Sequence, residues 1–340
     1  MHSDDLLLLS GFLINTLSFV LCSVVMYNLS KAALQSEDLA YTSALVFCWS
    51  PANPFFLSLY TESTFAFFSF SGIYLASYGP SDDLHRLIVT LVSSLCFAVA
   101  SSIRSNGVVM AGFIVYPALC RAYHALIAKR WTTVATSVLE CSVGSLVSVT
   151  PFLVYLYTAY QRYCVGFTRP WCEETVPNIY SFVQSFYWNV GFLRYFRPHQ
   201  IPNFLLAAPV LILAFSAAIS FLKSDWRNAL SLGINSSAEL TADRTVIRRY
   251  STDTIRGFYR NANFVFVAHL LALLATSVPF IHIQVLTRFL FSQCPILYWY
   301  VAHLLSDHET STITKKSIVT YMLVFNLMGI ILFSNFLPWT

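Results

Sequence analysis

The stretch from Cys172 to Pro209 reads CEETVPNIYSFVQSFYWNVGFLRYFRPHQIPNFLLAAP, and it differs in character from the apolar runs on either side. Tyr180, Phe182, Phe186, Tyr187, Trp188, Phe192, Tyr195 and Phe196 are interleaved with Gln184, Asn189, Arg194, Arg197, His199, Gln200 and Asn203. Rings with polar edges settle at the level of lipid headgroups, where one end stays dry and the other wet. Pro177, Gly191, Pro198, Pro202 and Pro209 cut the stretch into pieces too short to span. One or two helical turns lying along a membrane surface are expected, leading into a new span at Asn203. Tyr180, Gln184 and Trp188 recur at i, i+4 and i+8, so a helix here places them on one face. The composition also fits a second reading, a belt of aromatics that only anchors the neighbouring helices.

Outside this stretch the chain is dominated by apolar runs. Of its 340 residues 56% are hydrophobic and only 11% charged, against about a quarter charged in an ordinary soluble domain. The mean hydropathy is +0.62. A polytopic membrane protein follows, all-α because helices satisfy their own backbone in lipid. The net charge of +4 is small. Seven basic residues between Lys223 and Arg260 mark a cytoplasmic loop, and a nucleic-acid surface is not expected. Five of the eight cysteines lie in apolar runs as small buried side chains. Cys164 and Cys172 flank a loop and can pair if it faces an oxidising lumen. No CxxC or Cys/His cluster suggests a metal.

About ten hydrophobic segments are expected, in one transmembrane domain covering 1–340. They are Leu6–Met26, Leu39–Tyr60, Thr64–Tyr78, Leu87–Ile103, Val108–Leu126, Thr132–Tyr157, Asn203–Leu222, Asn263–Ile283, Phe289–Leu305 and Ser317–Leu337. Two are broken. Ser50-Pro51-Ala52-Asn53-Pro54 interrupts the second and Cys294-Pro295 the ninth, because proline removes a backbone donor. Inside a membrane such breaks persist only where they are buried in protein or line a wet cavity.

Charge bias sets an orientation. With the basic loop 223–262 in the cytoplasm, Lys31, Arg86, Arg121, Lys129, Arg130, Lys315 and Lys316 share its side. The aromatic loop 158–202 then faces the lumen, as an amphipathic segment. Asn53–Ser63, Arg104–Gly107, Gln284, Arg288 and the N-terminus fall on that side too. Glu62, Arg104 and Arg288 each sit at a lumenal helix end, where a solvated or snorkelled terminus is the plain reading. Three together, beside Asn53, Tyr60, Asn106 and Gln284 and next to a broken helix, point to a cavity. The arginine fork grips phosphate in a bidentate way, so the expected ligand is anionic. Glu140 stands alone toward the cytoplasmic side and is read as structural, and no histidine is assigned a catalytic role. The sequons Asn28-Leu29-Ser30 and Asn235-Ser236-Ser237 fall in the cytoplasm and are expected to stay unmodified.

Several of these motifs carry a family resemblance. Ser50-Pro51-Ala52-Asn53-Pro54, Tyr60-Thr61-Glu62-Ser63, Arg104-Ser105-Asn106-Gly107, Tyr187-Trp188-Asn189-Val190-Gly191-Phe192-Leu193 and Pro202-Asn203-Phe204-Leu205-Leu206-Ala207-Ala208-Pro209 resemble, in order, the GPI mannosyltransferase 2 family. Gln284-Val285-Leu286-Thr287-Arg288-Phe289 and the closing Phe336-Leu337-Pro338-Trp339-Thr340 fit as well. The resemblance implies a type C glycosyltransferase of the endoplasmic-reticulum membrane. Such an enzyme takes mannose from dolichyl-phosphate mannose, with no cofactor, and adds the second mannose of the GPI anchor in α1,6 linkage. Its partners would be those lipid substrates and a small membrane accessory subunit.

The family pattern also includes an extra first span and a lumenal loop with a Trp-Asp pair. No Trp-Asp pair occurs here; the nearest, Asp225-Trp226, is reversed. A form lacking that span and loop, inactive by itself, is therefore expected. A carboxylate must still take the acceptor's proton, and Glu62, the lumenal carboxylate that lies within a motif, is expected as a supporting residue behind the base or as a substitute base. Arg104 and Arg288 would stabilise the leaving phosphate. Asn53, Tyr60, Asn106, Gln184, Trp188, Asn189, Arg194, Gln200, Asn203 and Gln284 make up the expected substrate-binding set. Two other readings stand beside this one, a lipid or solute transporter with broken helices and a non-catalytic scaffold.

Overall fold

The computed structural model describes residues 3–78, 83–166, 169–234, 257–337 and 339. The Asn235 sequon and the middle of the basic loop lie outside the described residues. Within them the protein is all-α, with no strand. In chain order the helices are α1 (Ser3–Leu34), α2 (Glu37–Cys48), α3 (Asn53–Phe56), α4 (Glu62–Tyr78), α5 (Asp83–Ile103), α6 (Gly112–Ile127) and α7 (Trp131–Tyr163). They continue with α8 (Ile179–Phe186), α9 (Ile201–Ser224), α10 (Trp226–Leu230), α11 (Phe264–Phe280), α12 (Leu286–Phe291), α13 (Pro295–Ser306) and α14 (Thr312–Ser334).

Among the described residues, seven helices are long and apolar enough to cross a membrane, namely α1, α5, α6 with its 3-10 lead-in, α7, α9, α11 and α14. The other three expected segments are shorter helices. α2 and α13 have 12 residues each and α4 has 17, since the breaks at Ser50–Pro54 and Cys294-Pro295 shorten two of them. α1 and α7 overshoot their expected bounds. At 33 residues α7 is about 50 Å long against about 30 Å of hydrocarbon, so an end projects beyond the bilayer.

The broken second segment borrows its hydrogen bonds from both flanks. Asn326 of α14 donates to the carbonyls of Trp49 (2.9 Å) and Ser50 (3.0 Å) at the break, where Ser50 also accepts the Asn53 N–H at 3.0 Å. Asn15 of α1 donates to the carbonyl of Tyr60 at 2.6 Å. Ser18 of α1 pairs with Thr64 at 3.2 Å, about 22 Å along α1 from its first residue. The break is thus recessed in the bundle.

In lipid, apolar burial brings little transfer gain, so helices associate through dispersion contacts and small residues. α9 turns a buried stripe of Ala207, Val210, Ala214 and Ala217 to its neighbours. Gly144 of α7 lies against Ile114 and Ser94, where an added Cβ would meet the Ile114 side chain at 2.8 Å. Around these approaches Phe47, Phe70, Phe266, Tyr298 and Trp299 form a fully buried aromatic core. The Trp299 indole donates to Ser30 at 2.8 Å. At the same end of α1 the final carbonyls are capped from far along the chain. Gly257 donates its N–H to Leu34 (2.8 Å), and the Arg260 guanidinium donates to Ala33 (2.6 Å).

Glu140 is not isolated, contrary to the sequence reading. Its buried carboxylate accepts from Arg86 of α5 at 2.9 Å and from Arg121 of α6. The partners lie 54 and 19 residues away, so no local pattern announces them.

Candidate functional site

Glu62 opens α4, and none of it is exposed. Its Oε1 receives Arg104 at 2.6 Å and Arg288 at 3.5 Å. Arg104 stands at the extended residue between α5 and the 3-10 turn Ser105–Ala111. Arg288 lies in α12, the short helix before the second break. Three separate elements, each beginning or ending at this face, therefore meet on one oxygen. The arginines keep about a fifth of their side chains exposed. Arg288 also stacks over the rings of Phe55 (4.9 Å) and Tyr60 (5.5 Å). A weakly hydrated guanidinium suits such a bed of π faces.

A second layer fixes the two arginine-bearing turns to each other. Asn106 donates to the Gln293 side chain at 3.0 Å, and Gln293 in turn donates to the Phe289 carbonyl at 3.0 Å. Gly107 makes this geometry possible. A Cβ there would run into the backbone of Ala100 and Ser101 at the end of α5. Ser105 donates to Tyr180 of α8 at 2.8 Å, joining the Arg104 turn to the aromatic helix.

One turn back along the chain from Arg288, Gln284 belongs to a separate polar group. Its side-chain oxygen accepts from the Tyr195 hydroxyl at 3.1 Å, and Asn203 donates to that hydroxyl at 2.8 Å while also reaching Gln200. Burial pushes the Tyr195 phenol above its ordinary value, against the opposing effect of the Asn203 bond. It therefore stays protonated, a donor to Gln284, at neutral pH. The Tyr195 ring stacks on His282 at 4.6 Å, and the Leu193 N–H bonds the Pro279 carbonyl at 2.7 Å. The aromatic loop is thus seated on the end of α11.

The expected set divides accordingly. Tyr60, Glu62, Arg104, Asn106 and Arg288 come together, and Gln200, Asn203 and Gln284 form the neighbouring group. Asn53 is buried at the start of α3, donating to Cys48, with its Oδ1 unpartnered. Gln184 sits half-buried on α8, whereas Trp188, Asn189 and Arg194 are exposed. The common face expected for Tyr180, Gln184 and Trp188 does not form. α8 ends at Phe186, two residues before Trp188, and the left-handed backbone of Asn189 (φ 51°) then redirects the chain. Cys164 and Cys172 are joined in a disulfide that ties the end of α7 to the loop before α8. Sequence reasoning missed Gln293, Tyr195 and Asn15. Gln293 did leave a signal, a polar residue beside a proline inside an apolar run.

A helical bundle of membrane-crossing length, with paired arginines and a buried carboxylate where three elements meet, defines a multi-pass membrane protein with a polar cluster at helix ends. Sequence comparison places it further: the chain belongs to the family described as Mannosyltransferase (PIG-V), whose model matches residues 3–340. It is similar to GPI alpha-1,6-mannosyltransferase 2 of Mus musculus, 32% identical over 398 residues that cover 98% of this chain and 77% of the relative. The Homo sapiens protein of the same name is 32% identical over 400 residues, with the same coverage. GPI mannosyltransferase 2 of Gibberella zeae is 30% identical over 335 residues, covering 96% of this chain and 73% of the relative. No solved structure matches the chain.

Proposed function

We propose that this chain is a mannosyltransferase of GPI-anchor assembly, adding the second mannose in α1,6 linkage from dolichyl-phosphate mannose within the endoplasmic-reticulum membrane. The names of its relatives support the reaction, and one structural observation supports the site. Arg104 and Arg288, 184 positions apart in the chain, converge on one buried carboxylate. Two cations and one anion leave a net charge of +1, which a lipid phosphodiester of charge −1 complements. As the sugar leaves, charge builds on the phosphate, and fixed guanidinium donors stabilise that charge without reorganising.

Glu62 is assigned the positioning of both arginines. Its Oε1 is occupied, and its Oε2 is buried with no hydrogen-bond partner among the described residues, which favours this role over that of an open base. The Tyr195 group, whose Gln284 lies four residues before Arg288, is assigned to sugar hydroxyls. The basic end of the bundle faces the cytoplasm and the Glu62 face the lumen, with the aromatic loop 158–202 at the lumenal headgroups. The Cys164–Cys172 disulfide favours this orientation, since such bonds persist in an oxidising compartment.

The test is complementation of cells that lack their own second transferase. The chain is expressed behind a first span and lumenal loop taken from the mouse relative. Surface GPI-anchored proteins should return. Arg104→Lys and Arg288→Lys keep the charge but lose the fork, and should accumulate the one-mannose intermediate. Normal flux through both variants would reduce these arginines to helix ends.

A further inference from the structure

A groove of about 500 Å³ runs along α14 on the side facing α9, and nothing in the site described above uses it. Lys316 and Thr320 stand toward one end, and Tyr321, Val324 and Phe325 continue its wall to Pro209 of α9. The groove exists because α14 is fastened mainly through its other half. There Asn326 holds the broken segment, and Gly329 lies against Pro54. From Lys316 to Phe325 the wall extends about 13 Å, the length of a partial acyl chain.

Charge chooses the occupant. α14 contains Lys315 and Lys316 and no Asp or Glu, and its positive helix end lies at the same level. The acids of the preceding turn, Asp307 and Glu309, both lie outside the groove, whose lining carries Lys316 and no acid. On the cytoplasmic side of a membrane, basic pockets between spans suit anionic headgroups. We infer that this groove binds one anionic glycerophospholipid of the cytoplasmic leaflet, with its phosphate at Lys316 and an acyl chain along Tyr321, Val324 and Phe325. The lipid fills the space between α9 and α14 and steadies the helix that carries Asn326. This inference does not depend on the roles assigned around Glu62.

The experiment is native mass spectrometry of the purified chain, incubated with equal phosphatidylserine and phosphatidylcholine. One phosphatidylserine should be retained with a preference of about fivefold, the size expected for one favourable charge near the headgroup. Lys316→Glu should abolish the preference, while Lys315→Glu, off the groove, should leave it within about twofold. Thr320→Trp should exclude both lipids by filling the groove. Equal retention by the unaltered chain, or an undiminished preference in Lys316→Glu, would overturn the proposal. So would displacement of phosphatidylserine by dolichyl phosphate at equal concentration, which would give the groove to a polyisoprenyl lipid. The unaltered chain decides the matter even if a variant fails to fold.

Discussion

Asn106 donates a 3.0 Å hydrogen bond to Gln293 across 187 positions of sequence, and through it the turn holding Arg104 is fixed to the turn holding Arg288. Glu62 joins the same two arginines from the other side. The arginine pair is therefore held by two independent clasps, one ionic and one neutral.

The neutral clasp should behave as a coupled pair. Asn106→Ala or Gln293→Ala leaves a partly buried amide without its partner, at a cost of about 1–3 kcal/mol. Because each single change already loses the bond, the double variant should cost less than the sum. Unfolding in detergent measures all three variants. Strictly additive costs would show that the bond carries no coupling.

Removing the carboxylate charge should cost more. Glu62→Gln leaves two arginines near each other without a counter-ion, a loss on the order of 3 kcal/mol. Arg288→Met in the Glu62→Gln background should recover part of it, since one cation then remains. Thermal unfolding of the single and double variants checks this. A double variant weaker than the single would contradict the ionic account.

Two glycines near the site should respond in opposite directions. Gly107→Ala places a methyl against the Ala100–Ser101 backbone, where no flexible side chain can yield. The turn must shift, with a loss of about 1–3 kcal/mol and of transferase activity. Gly112 begins α6 with nothing within 4 Å of an added Cβ, so Gly112→Ala should be neutral or stabilising by up to about 1 kcal/mol. Activity assays and melting curves on the pair separate backbone crowding from general fragility.

Surface chemistry tests the orientation. Cys164 and Cys172 should resist alkylation in sealed microsomes until a reductant is added. Asn28 should carry no glycan, because it lies in the last turns of α1 with its amide on the Val24 carbonyl at 3.0 Å. An endoglycosidase-sensitive mass shift mapped to Asn28 would invert the topology.

Much of this architecture was readable before the structure, and the reasons differ element by element. The long spans were legible because lipid demands length and apolarity, which are properties of a window of sequence. The break at Ser50–Pro54 was legible because proline acts on its own helix. The convergence of Glu62, Arg104 and Arg288 was legible only as far as a shared face, since charge bias reports sides and not distances. What the pattern could not convey were pairings made across the fold. Glu140 looked solitary because Arg86 and Arg121 reach it from other helices. Trp188 was misplaced because a non-glycine residue, Asn189, adopts the left-handed turn that stops α8. Gln293 was overlooked because its partner lies in a turn at the far end of α5.

The capping of α1 has a temporal side. Its last carbonyls are met by Gly257 and Arg260, and Ala33 waits for a donor 227 residues later in the chain. At about 5–20 residues per second, that interval is roughly 10 to 45 seconds of synthesis. Throughout it α1 has an open end at the basic face. Closure of that end marks the moment when α11 begins to enter the bundle, so α1 also serves as a record of how far assembly has gone.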